Sequence, residues 1–170
     1  ATIDWVVEAP CAGLVQSHPG IHKALVVSTK TWRQKLLNMQ TYQEILTFRK
    51  QLRQVTYDLV LDLQGNIKSG LIVSQARGKN KVGFAFKSVP EKPNLLFTNK
   101  RYNPPIEGNI RQDYLAIATS FFNDPIPVES GKISLNISDQ QRDVLKTVMG
   151  NLPHPQNSSV VVCPGSAWQN

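Results

Sequence analysis

The seven residues YDLVLDL, at positions 57–63, constrain the fold of this chain more than any other stretch. A run of apolar residues with only two aspartates indicates a buried parallel strand that ends in a polar loop. Ile67, Leu71 and Ile72 follow at helical spacing and predict an amphipathic helix to about Arg77, closed by Gly78 as its C-cap. A strand, a short polar loop and a helix in this order begin a parallel βαβ unit.

Strand and helix signals alternate along the rest of the chain. Thr41 and Ser138 are each followed three residues later by Glu or Gln, a capping box that predicts helices to about Val55 and Met149. Together the segments predict an α/β fold, a Rossmann-like doubly wound parallel sheet. The remaining helices are expected near residues 9–17 and 109–122, and the remaining strands at Ile3–Val7, Ala24–Val27, Lys81–Phe86 and Ser159–Cys163.

The composition limits the class of protein. With 170 residues, 41% of them hydrophobic, the chain can bury one core, and without a run of about 18 apolar residues no membrane span is expected. The formal net charge of +7 predicts an anionic partner: nucleic acid, a phosphorylated metabolite or an acidic membrane surface. Cys11 and Cys163 are expected to be buried free thiols, and the histidines lack metal-ligand spacing.

The loops that follow the predicted strands are the candidate sites, because ligands of open parallel sheets bind beyond the carboxyl ends of the strands. The loop DLQGNIKSG, residues 62–70, has Gly65 for a tight turn and Lys68 in the first turn of the next helix. Free N–H groups at that helix start would favour an anion. A purely structural strand-to-helix turn has the same features, so both interpretations stay open.

The basic stretch STKTWRQK, residues 28–35, forms a second candidate loop. Lys30, Arg33 and Lys35 surround Trp32, an arrangement that can hold a carboxylate or phosphate against an aromatic ring. The alternative is a solvated basic turn with Trp32 in the core.

A third candidate loop is CPGSAWQN, at positions 163–170. Gly165 would let a phosphate approach the backbone, and Ser166 can donate a hydrogen bond to it. None of the three loops is a Walker or G-x-G-x-x-G motif, and the spacing suggests no Ser-His-Asp or Cys-His arrangement.

Five stretches carry a resemblance to a known family: DWVVE, the Lys/Arg-Trp-Arg cluster, YDLVLDLQGNIKSG, KVGF and PGSAWQN. In this order and at these intervals they resemble the N-terminal half of the lipopolysaccharide heptosyltransferases, glycosyltransferase family 9. The D-x-Q-G-x-x-K-S pattern and the late P-G-S-x-W are the most specific parts. The resemblance implies a GT-B architecture, in which two Rossmann-like domains face each other across a cleft.

The resemblance also implies an activity and its partners. The activity is inverting, metal-independent transfer of a heptose from ADP-heptose to the 3-deoxy-octulosonic acid (Kdo) region of the lipopolysaccharide core in bacteria, with no cofactor. The partners are ADP-heptose and a Kdo-lipid A type acceptor, without nucleic acid. The implied location is the cytoplasm, in peripheral contact with the cytoplasmic face of the inner membrane.

Site residues are carried over by position within the shared motifs. No catalytic residue is among them, because the general-base aspartate of the family lies in a Gly-Asp loop ahead of these residues, so the chain alone is expected to be inactive. Residues 1–125 would form the truncated acceptor-side domain, 126–158 a linker and connecting helix, and 159–170 the start of the donor-binding domain. The implied acceptor-binding residues are Lys30, Arg33, Lys35, Gln64, Gly65 and Lys68, and the implied donor phosphate-binding residues are Gly165 and Ser166.

Departures from the family pattern keep alternatives open. Lys30 and Thr31 stand where members often have paired arginines, and Asn109 stands where many have a histidine. One alternative is a GT-B enzyme with another nucleotide-sugar donor. The other is a basic nucleic-acid-binding module, although such modules usually show one basic face with interleaved aromatic residues.

Overall fold

The computed structural model describes residues 2–105, 110–123 and 136–150. Two compact units divide the chain between residues 134 and 135. Short 3-10 helices cover Ala9–Cys11 and Lys92–Leu96. The other elements in chain order are β1 (Asp4–Glu8), α1 (Ala12–Gln16), β2 (Lys23–Val27), α2 (Thr29–Gln34), α3 (Met39–Leu52), β3 (Thr56–Leu61), α4 (Ile67–Gln75), β4 (Arg77–Phe84), β5 (Lys100–Tyr102), α5 (Ile110–Phe122) and α6 (Asp139–Gly150).

Parallel pairing joins the strands into two sheets. β1 pairs with β2, which sets Val6 beside Leu25. β3, β4 and β5 form a second sheet in that order, with Leu61 beside Val82 and Val82 beside Lys100. Every pairing between the described strands is parallel, and helices connect them, which confirms the predicted Rossmann-like α/β fold.

A first core unites the two sheets. Its buried residues come from β2, α3 and the residue after α4, and half-buried residues of β1 and β3 pack against them. The sheets are also tied by a side-chain hydrogen bond, in which the Tyr57 hydroxyl donates to Asp4 Oδ2 at 2.9 Å. Burial, together with the hydrogen bond to Asp4 and its charge, raises the pKa of Tyr57 to about 12. The buried members of this core are Leu25, Val27, Phe48, Leu52 and Ala76.

A second core lies between β4, the following loop and α5. Val82 and Ile117 are fully buried, and Tyr114 and Phe121 pack against them. These three α5 residues therefore share one face of the helix. Ile110 is exposed at the first turn of the helix.

The predicted cap of α3 is wrong. Asn38 is the N-cap, and its Oδ1 accepts from the backbone N–H of Gln40 at 2.8 Å. Thr41 is instead buried in the first turn, because it lies on the same helix face as Phe48 and Leu52, which enter the core. Sequence spacing alone could not separate the two caps, since Asn38 and Thr41 are both favourable N-cap residues.

The end predicted for α4 is also wrong. The helix stops at Gln75, and β4 begins two residues later at Arg77. Gly78 is therefore a strand residue rather than a C-cap. A Cβ atom there would lie 2.9 Å from the Tyr57 carbonyl oxygen, so this glycine permits close approach of β3 and β4.

Two burial predictions need correction. β3 is half-buried rather than buried, with Leu61 and Asp58 exposed. Cys11 is a free thiol as predicted, but it is exposed at the end of the first 3-10 helix. Cys163 lies outside the described residues.

The second unit is described only for residues 136–150. The predicted capping box of α6 is confirmed, because the Gln141 N–H donates to Ser138 Oγ at 3.3 Å and the Ser138 N–H donates to Gln141 Oε1 at 2.9 Å. The predicted strand Ser159–Cys163 lies outside the described residues. Among the helices of the described ranges, none combines the length and apolar character needed to cross a membrane.

Candidate functional site

The loop between β3 and α4, residues 62–66 (the β3–α4 loop), lies at the carboxyl end of β3, as predicted. Gly65 has φ +64°, the left-handed conformation that favours glycine. A Cβ atom at this position would lie 2.6 Å from Pro90 Cδ and 3.1 Å from Phe84 Cδ2. The loop is thus packed against the segment that follows β4, and only glycine fits at its centre.

Asp62 holds this loop in place. Only 2% of the residue is exposed. One carboxylate oxygen accepts from the backbone N–H groups of Gln64 and Gly65, each at 3.0 Å. The other accepts from Ser69 Oγ at 2.9 Å and from Asn94 Nδ2 at 2.7 Å. The four hydrogen bonds replace the hydration that this buried carboxylate loses. The Asp62 carboxylate therefore accepts the loop donors that an external anion could otherwise have bound.

The start of α4 is also satisfied from within the chain. Asn66 is the N-cap and forms a capping box with Ser69, whose N–H donates to Asn66 Oδ1 at 2.8 Å. The Ile67 N–H donates to Glu91 Oε2 at 2.8 Å, and the Glu91 N–H donates back to the Gly65 carbonyl at 3.1 Å. The expectation that free N–H groups here would receive an external anion is therefore wrong for Ile67 and Ser69.

Two side chains of the loop region face outward instead. Gln64 and Lys68 are both exposed, and Gln64 Oε1 accepts from Asn66 Nδ2 at 3.3 Å. Gly65 itself is buried and shapes the turn. The groups that can meet a ligand at this strand end are thus the amide of Gln64 and the ammonium of Lys68.

Sequence reasoning missed Asn94 and Glu91, which lie in and just before the 3-10 helix Lys92–Leu96. Asn94 is fully buried. Its Nδ2 donates to Asp62 and to the Asn66 carbonyl at 2.8 Å, while its Oδ1 has no partner among the described residues. No spacing rule links either residue to the loop about 30 positions earlier, because only tertiary folding returns the chain there.

The basic stretch 28–35 is a helix, α2, and not the loop that was predicted. Its start is occupied by Glu8, whose carboxylate accepts from the Thr29 N–H at 3.2 Å and from the Thr29 hydroxyl. Lys30, Arg33 and Lys35 are exposed. These three cations are therefore available to a partner, whereas the N–H of Thr29, the first residue of α2, is engaged by Glu8.

Trp32 belongs to the core, which decides between the two interpretations of this segment. It is half-buried, its ring centroid lies 5.7 Å from that of Phe48, and its Nε1 donates to Glu44 Oε2 at 3.0 Å. The indole is therefore not an open platform on which an anion could be held.

The predicted residues fall into two groups at two strand ends. Lys30, Arg33 and Lys35 follow β2, while Gln64, Gly65 and Lys68 follow β3, which belongs to the other sheet. No hydrogen bond or ion pair joins the two groups within the described residues. Gly165 and Ser166 lie outside the described residues. A shallow depression on α6 contains none of the predicted residues and is lined by Gln140, Asp143, Val144 and Thr147.

No metal centre is evident in the part of the chain that the structure describes, since no three His, Cys, Asp or Glu side chains there are placed to share an ion. His22 instead pairs with Asp4, with Nδ1 2.9 Å from Oδ1.

Comparison with known proteins gives a consistent result. The family model of glycosyltransferase family 9 (heptosyltransferase) matches residues 45–170. Lipopolysaccharide heptosyltransferase 1 of Escherichia coli K12 is 29% identical over 100 residues, which cover 59% of this chain and 31% of that protein. The protein of the same name from Campylobacter coli is 26% identical over 171 residues, which cover 99% of this chain and 47% of the relative. The chain thus spans less than half the length of these relatives.

Solved structures show the same likeness at the level of the fold. The E. coli heptosyltransferase WaaC with ADP superposes with a TM-score of 0.72 at 24% identity, covering 89% of this chain and 45% of that one. WaaC with ADP-2-deoxy-2-fluoro heptose gives the same TM-score at 23% identity. The likeness confirms the expected Rossmann-like half of a GT-B architecture.

Proposed function

Because the chain belongs to glycosyltransferase family 9, the heptosyltransferases, we propose that it is the acceptor-side part of an enzyme that transfers heptose from ADP-heptose to the Kdo region of lipopolysaccharide. The observation that carries the proposal is the family match over residues 45–170, which include the β3–α4 loop. The donor is supported by the WaaC structures, which were solved with ADP and with an ADP-heptose analogue.

The proposed reaction is a single inverting displacement at the anomeric carbon. A hydroxyl of the acceptor attacks, its proton passes to a carboxylate base, and the bond to the diphosphate breaks. The family resemblance places that base in a Gly-Asp loop ahead of these residues. Gly165 and Ser166 would contribute donors to the departing diphosphate, whose charge helix N-termini and cationic side chains can stabilise without a metal ion.

The acceptor would lie against the two exposed groups of side chains. Gln64 and Lys68 extend from a loop that Asp62 and Gly65 hold rigid, and rigid support is what a positioning residue needs. Lys30, Arg33 and Lys35 form no ion pair with the other described residues and would meet the carboxylates and phosphates of the acceptor. An acceptor with carboxylates and phosphates would account for the net charge of +7.

The location of the protein follows from the acceptor. A Kdo-lipid A type molecule is anchored in a membrane, so the enzyme would act in the cytoplasm at the cytoplasmic face of the bacterial inner membrane. We propose further that this chain alone does not transfer heptose, because the resemblance assigns the base and most of the donor-binding domain to other segments.

Binding of a delipidated Kdo-bearing acceptor, measured by calorimetry, tests the acceptor site in the chain itself. We expect Arg33→Gln and Lys68→Gln each to weaken binding about tenfold, the usual effect of removing one charge-assisted hydrogen bond. Arg77→Gln, an exposed cation on β4, is the matched control and should bind normally. Equal affinities for all four proteins would reject this assignment of the site.

Transfer is measured in the protein as encoded, with its flanking segments included. Arg33→Gln and Lys68→Gln should lower kcat/KM for the Kdo acceptor without changing the unfolding midpoint. A donor panel of ADP-, UDP- and GDP-sugars addresses the alternative GT-B enzyme, because only heptose transfer from ADP-heptose fits the proposal. The nucleic-acid module is disfavoured, since Trp32 is packed in the core instead of being available for stacking.

A further inference from the structure

The turn between α2 and α3 and the adjoining face of α3 expose an unusual set of large apolar side chains. Leu36 is 65% exposed, Leu37 is fully exposed and Met39 is 71% exposed. Tyr42 and Leu46 continue the set along α3 and are about half exposed. We call these five residues the α2–α3 patch. Single exposed apolar residues are ordinary, but five within eleven positions mark a contact surface.

The helical part of the patch lies on one face. Met39, Tyr42 and Leu46 are spaced three and four residues apart, so they form a continuous stripe along α3. The buried residues Phe48 and Leu52 lie on a different face, which packs into the first core. The stripe is therefore not the edge of the core but a second apolar face directed away from it.

Cations border the patch on both sides along the chain. Lys30, Arg33 and Lys35 precede the turn, and Arg49 with Lys50 continues the stripe beyond Leu46. Over residues 28–55 there are six cations, Arg53 being the last, and a single carboxylate, Glu44. Glu44 already accepts from Trp32 Nε1 and from Gln40 Nε2. Within residues 2–105 none of the six cations forms an ion pair.

We propose that the α2–α3 patch docks this chain on the surface of an anionic lipid bilayer. Leu36 and Leu37 project from a turn and would enter the boundary between headgroups and acyl chains, together with the apolar stripe of α3. The flanking cations would lie at the level of the phosphates. Exposed aliphatic side chains surrounded by unpaired cations are the combination that such a surface recognises.

The observations favour a bilayer over other partners. A second copy of the chain would place the same patch against itself and bring like charges together, because a two-fold interface is self-complementary. Nucleic acid takes aliphatic side chains only as single wedges between base steps, so it would leave most of a patch such as Leu36, Leu37 and Met39 uncovered. The inference deepens the proposed function, on which the identity of the membrane rests, by naming the surface that would bring Lys30, Arg33 and Lys35 to a lipid-anchored acceptor.

Vesicle co-sedimentation of the full chain tests the proposal without any sugar substrate. The probes are vesicles of phosphatidylethanolamine with phosphatidylglycerol, compared with vesicles of phosphatidylcholine. We expect binding to the anionic vesicles, weaker binding at higher salt, and little binding to the neutral ones. Leu36→Ser/Leu37→Ser should reduce the partition coefficient about tenfold or more, since two buried aliphatic side chains are lost.

Matched variants distinguish vesicle binding by this patch from non-specific binding through exposed leucines or cations elsewhere. Leu71→Ser/Leu96→Ser removes two exposed leucines elsewhere and should bind as the unchanged chain does. Arg49→Gln/Lys50→Gln should weaken binding about fivefold per cation, whereas Arg77→Gln/Lys79→Gln on β4 should have a smaller effect. Thermal unfolding midpoints should agree among the variants, because all the substituted residues are exposed.

Three results would overturn the proposal: no binding to anionic vesicles, equal binding by Leu36→Ser/Leu37→Ser and its leucine control, or a dimer that this variant dissociates while vesicle binding is absent. The vesicles contain neither Kdo nor a nucleotide sugar. Failure of docking would therefore leave the proposed heptose transfer untouched, and failure of transfer to a delipidated acceptor would leave the docking result untouched.

Discussion

The β3–α4 loop and the α2 segment have similar sequences but differ in how many of their polar groups are bonded within the chain. Both follow a parallel strand, and both combine polar residues with cations. In the β3–α4 loop the backbone donors are used by the internal carboxylates of Asp62 and Glu91. In the α2 segment Glu8 accepts from Thr29 and Glu44 accepts from Trp32 Nε1, while three cations remain exposed.

The difference assigns separate tasks to the two regions. The β3–α4 loop is a rigid support that holds a few outward side chains, since a buried and fully bonded carboxylate fixes its geometry. The α2 segment supplies three positive charges, and no ion pair among the described residues fixes those side chains. Substitutions of the buried residues Asp62 and Gly65 should therefore cost folding stability, whereas substitutions of the exposed cations of the α2 segment should cost binding.

Asp62→Ala should have the largest effect. It removes the acceptor of the Gln64 and Gly65 N–H groups and one of the two acceptors of the Ser69 and Asn94 side chains. We therefore expect a loss of about 3–5 kcal/mol in the free energy of unfolding. Urea unfolding followed by circular dichroism measures it. Asp58→Ala, an exposed aspartate on the same strand, is the control and should change stability by about 0.5 kcal/mol at most. Similar losses in both variants would contradict the role given to Asp62.

Gly65→Ala is expected to come next. The added Cβ would be strained at φ +64° and would meet Pro90 at 2.6 Å, a combination that should cost about 2–3 kcal/mol. Gly13→Ala supplies the contrast, because a Cβ there meets nothing within 4 Å in helix α1 and should stabilise by about 0.5–1 kcal/mol. The same unfolding measurement distinguishes the two, and a neutral Gly65→Ala would show that the loop is not rigid.

Tyr57→Phe tests the side-chain hydrogen bond that joins the two sheets and should have a smaller effect on the free energy of unfolding. Losing the hydrogen bond to Asp4 should cost about 1 kcal/mol below pH 10. The folded protein holds the Tyr57 proton up to about pH 12, whereas an unfolded tyrosine releases it near about pH 10. The contribution of Tyr57 is therefore complete below about pH 10 and is lost as the pH rises through about 12.

The pH dependence supplies the readout for this variant. Between about pH 10 and 12 the unfolding free energy should decline less steeply in Tyr57→Phe than in the unchanged chain. A tyrosinate absorbance titration should also lose its component near pH 12. Loss of a component near pH 10 instead of near pH 12 would contradict the raised pKa of Tyr57.

The smallest effect on stability is expected from Lys30→Gln/Arg33→Gln/Lys35→Gln. These exposed cations form no ion pair within residues 2–105, so the free energy of unfolding should change by about 0.5 kcal/mol or less. Affinity for an anionic acceptor should nevertheless fall by more than the tenfold expected for one cation. A large loss of stability would erase the contrast between the two regions.

Much of the fold could be predicted because it depends on local pattern. The strands and helices that were predicted within the described residues, their parallel order and the capping box of α6 are properties of neighbouring residues, and these predictions were confirmed. Helix α2 and strand β5 were not predicted. The errors occurred where two local signals compete or where packing decides. Asn38 and Thr41 both suit an N-cap, and only burial of Thr41 on the core face selects Asn38. Gly78 suits a C-cap, but it lies in strand β4, where the backbone of Tyr57 comes too close for a larger residue.

The candidate site itself stays a prediction. Gly65 and Lys68 were predicted from a strand-to-helix turn, Lys30, Arg33 and Lys35 from their clustering around Trp32, and Gln64 from the family resemblance alone. Asn94 and Glu91 were missed, although they complete the β3–α4 loop, because their partners are distant in sequence and no spacing rule connects them.

The sequence alone determined the alternation of strands and helices, the excess of cations and the family to which the chain belongs, because these depend on residue identity and order. Only the tertiary structure decided which polar groups are already satisfied and which face outward. A backbone N–H or a lysine looks the same in a sequence whether or not a carboxylate from elsewhere reaches it. Asp62, Glu91 and Glu8 reach such donors in this fold, and no carboxylate reaches Lys30, Arg33 or Lys35 within residues 2–105.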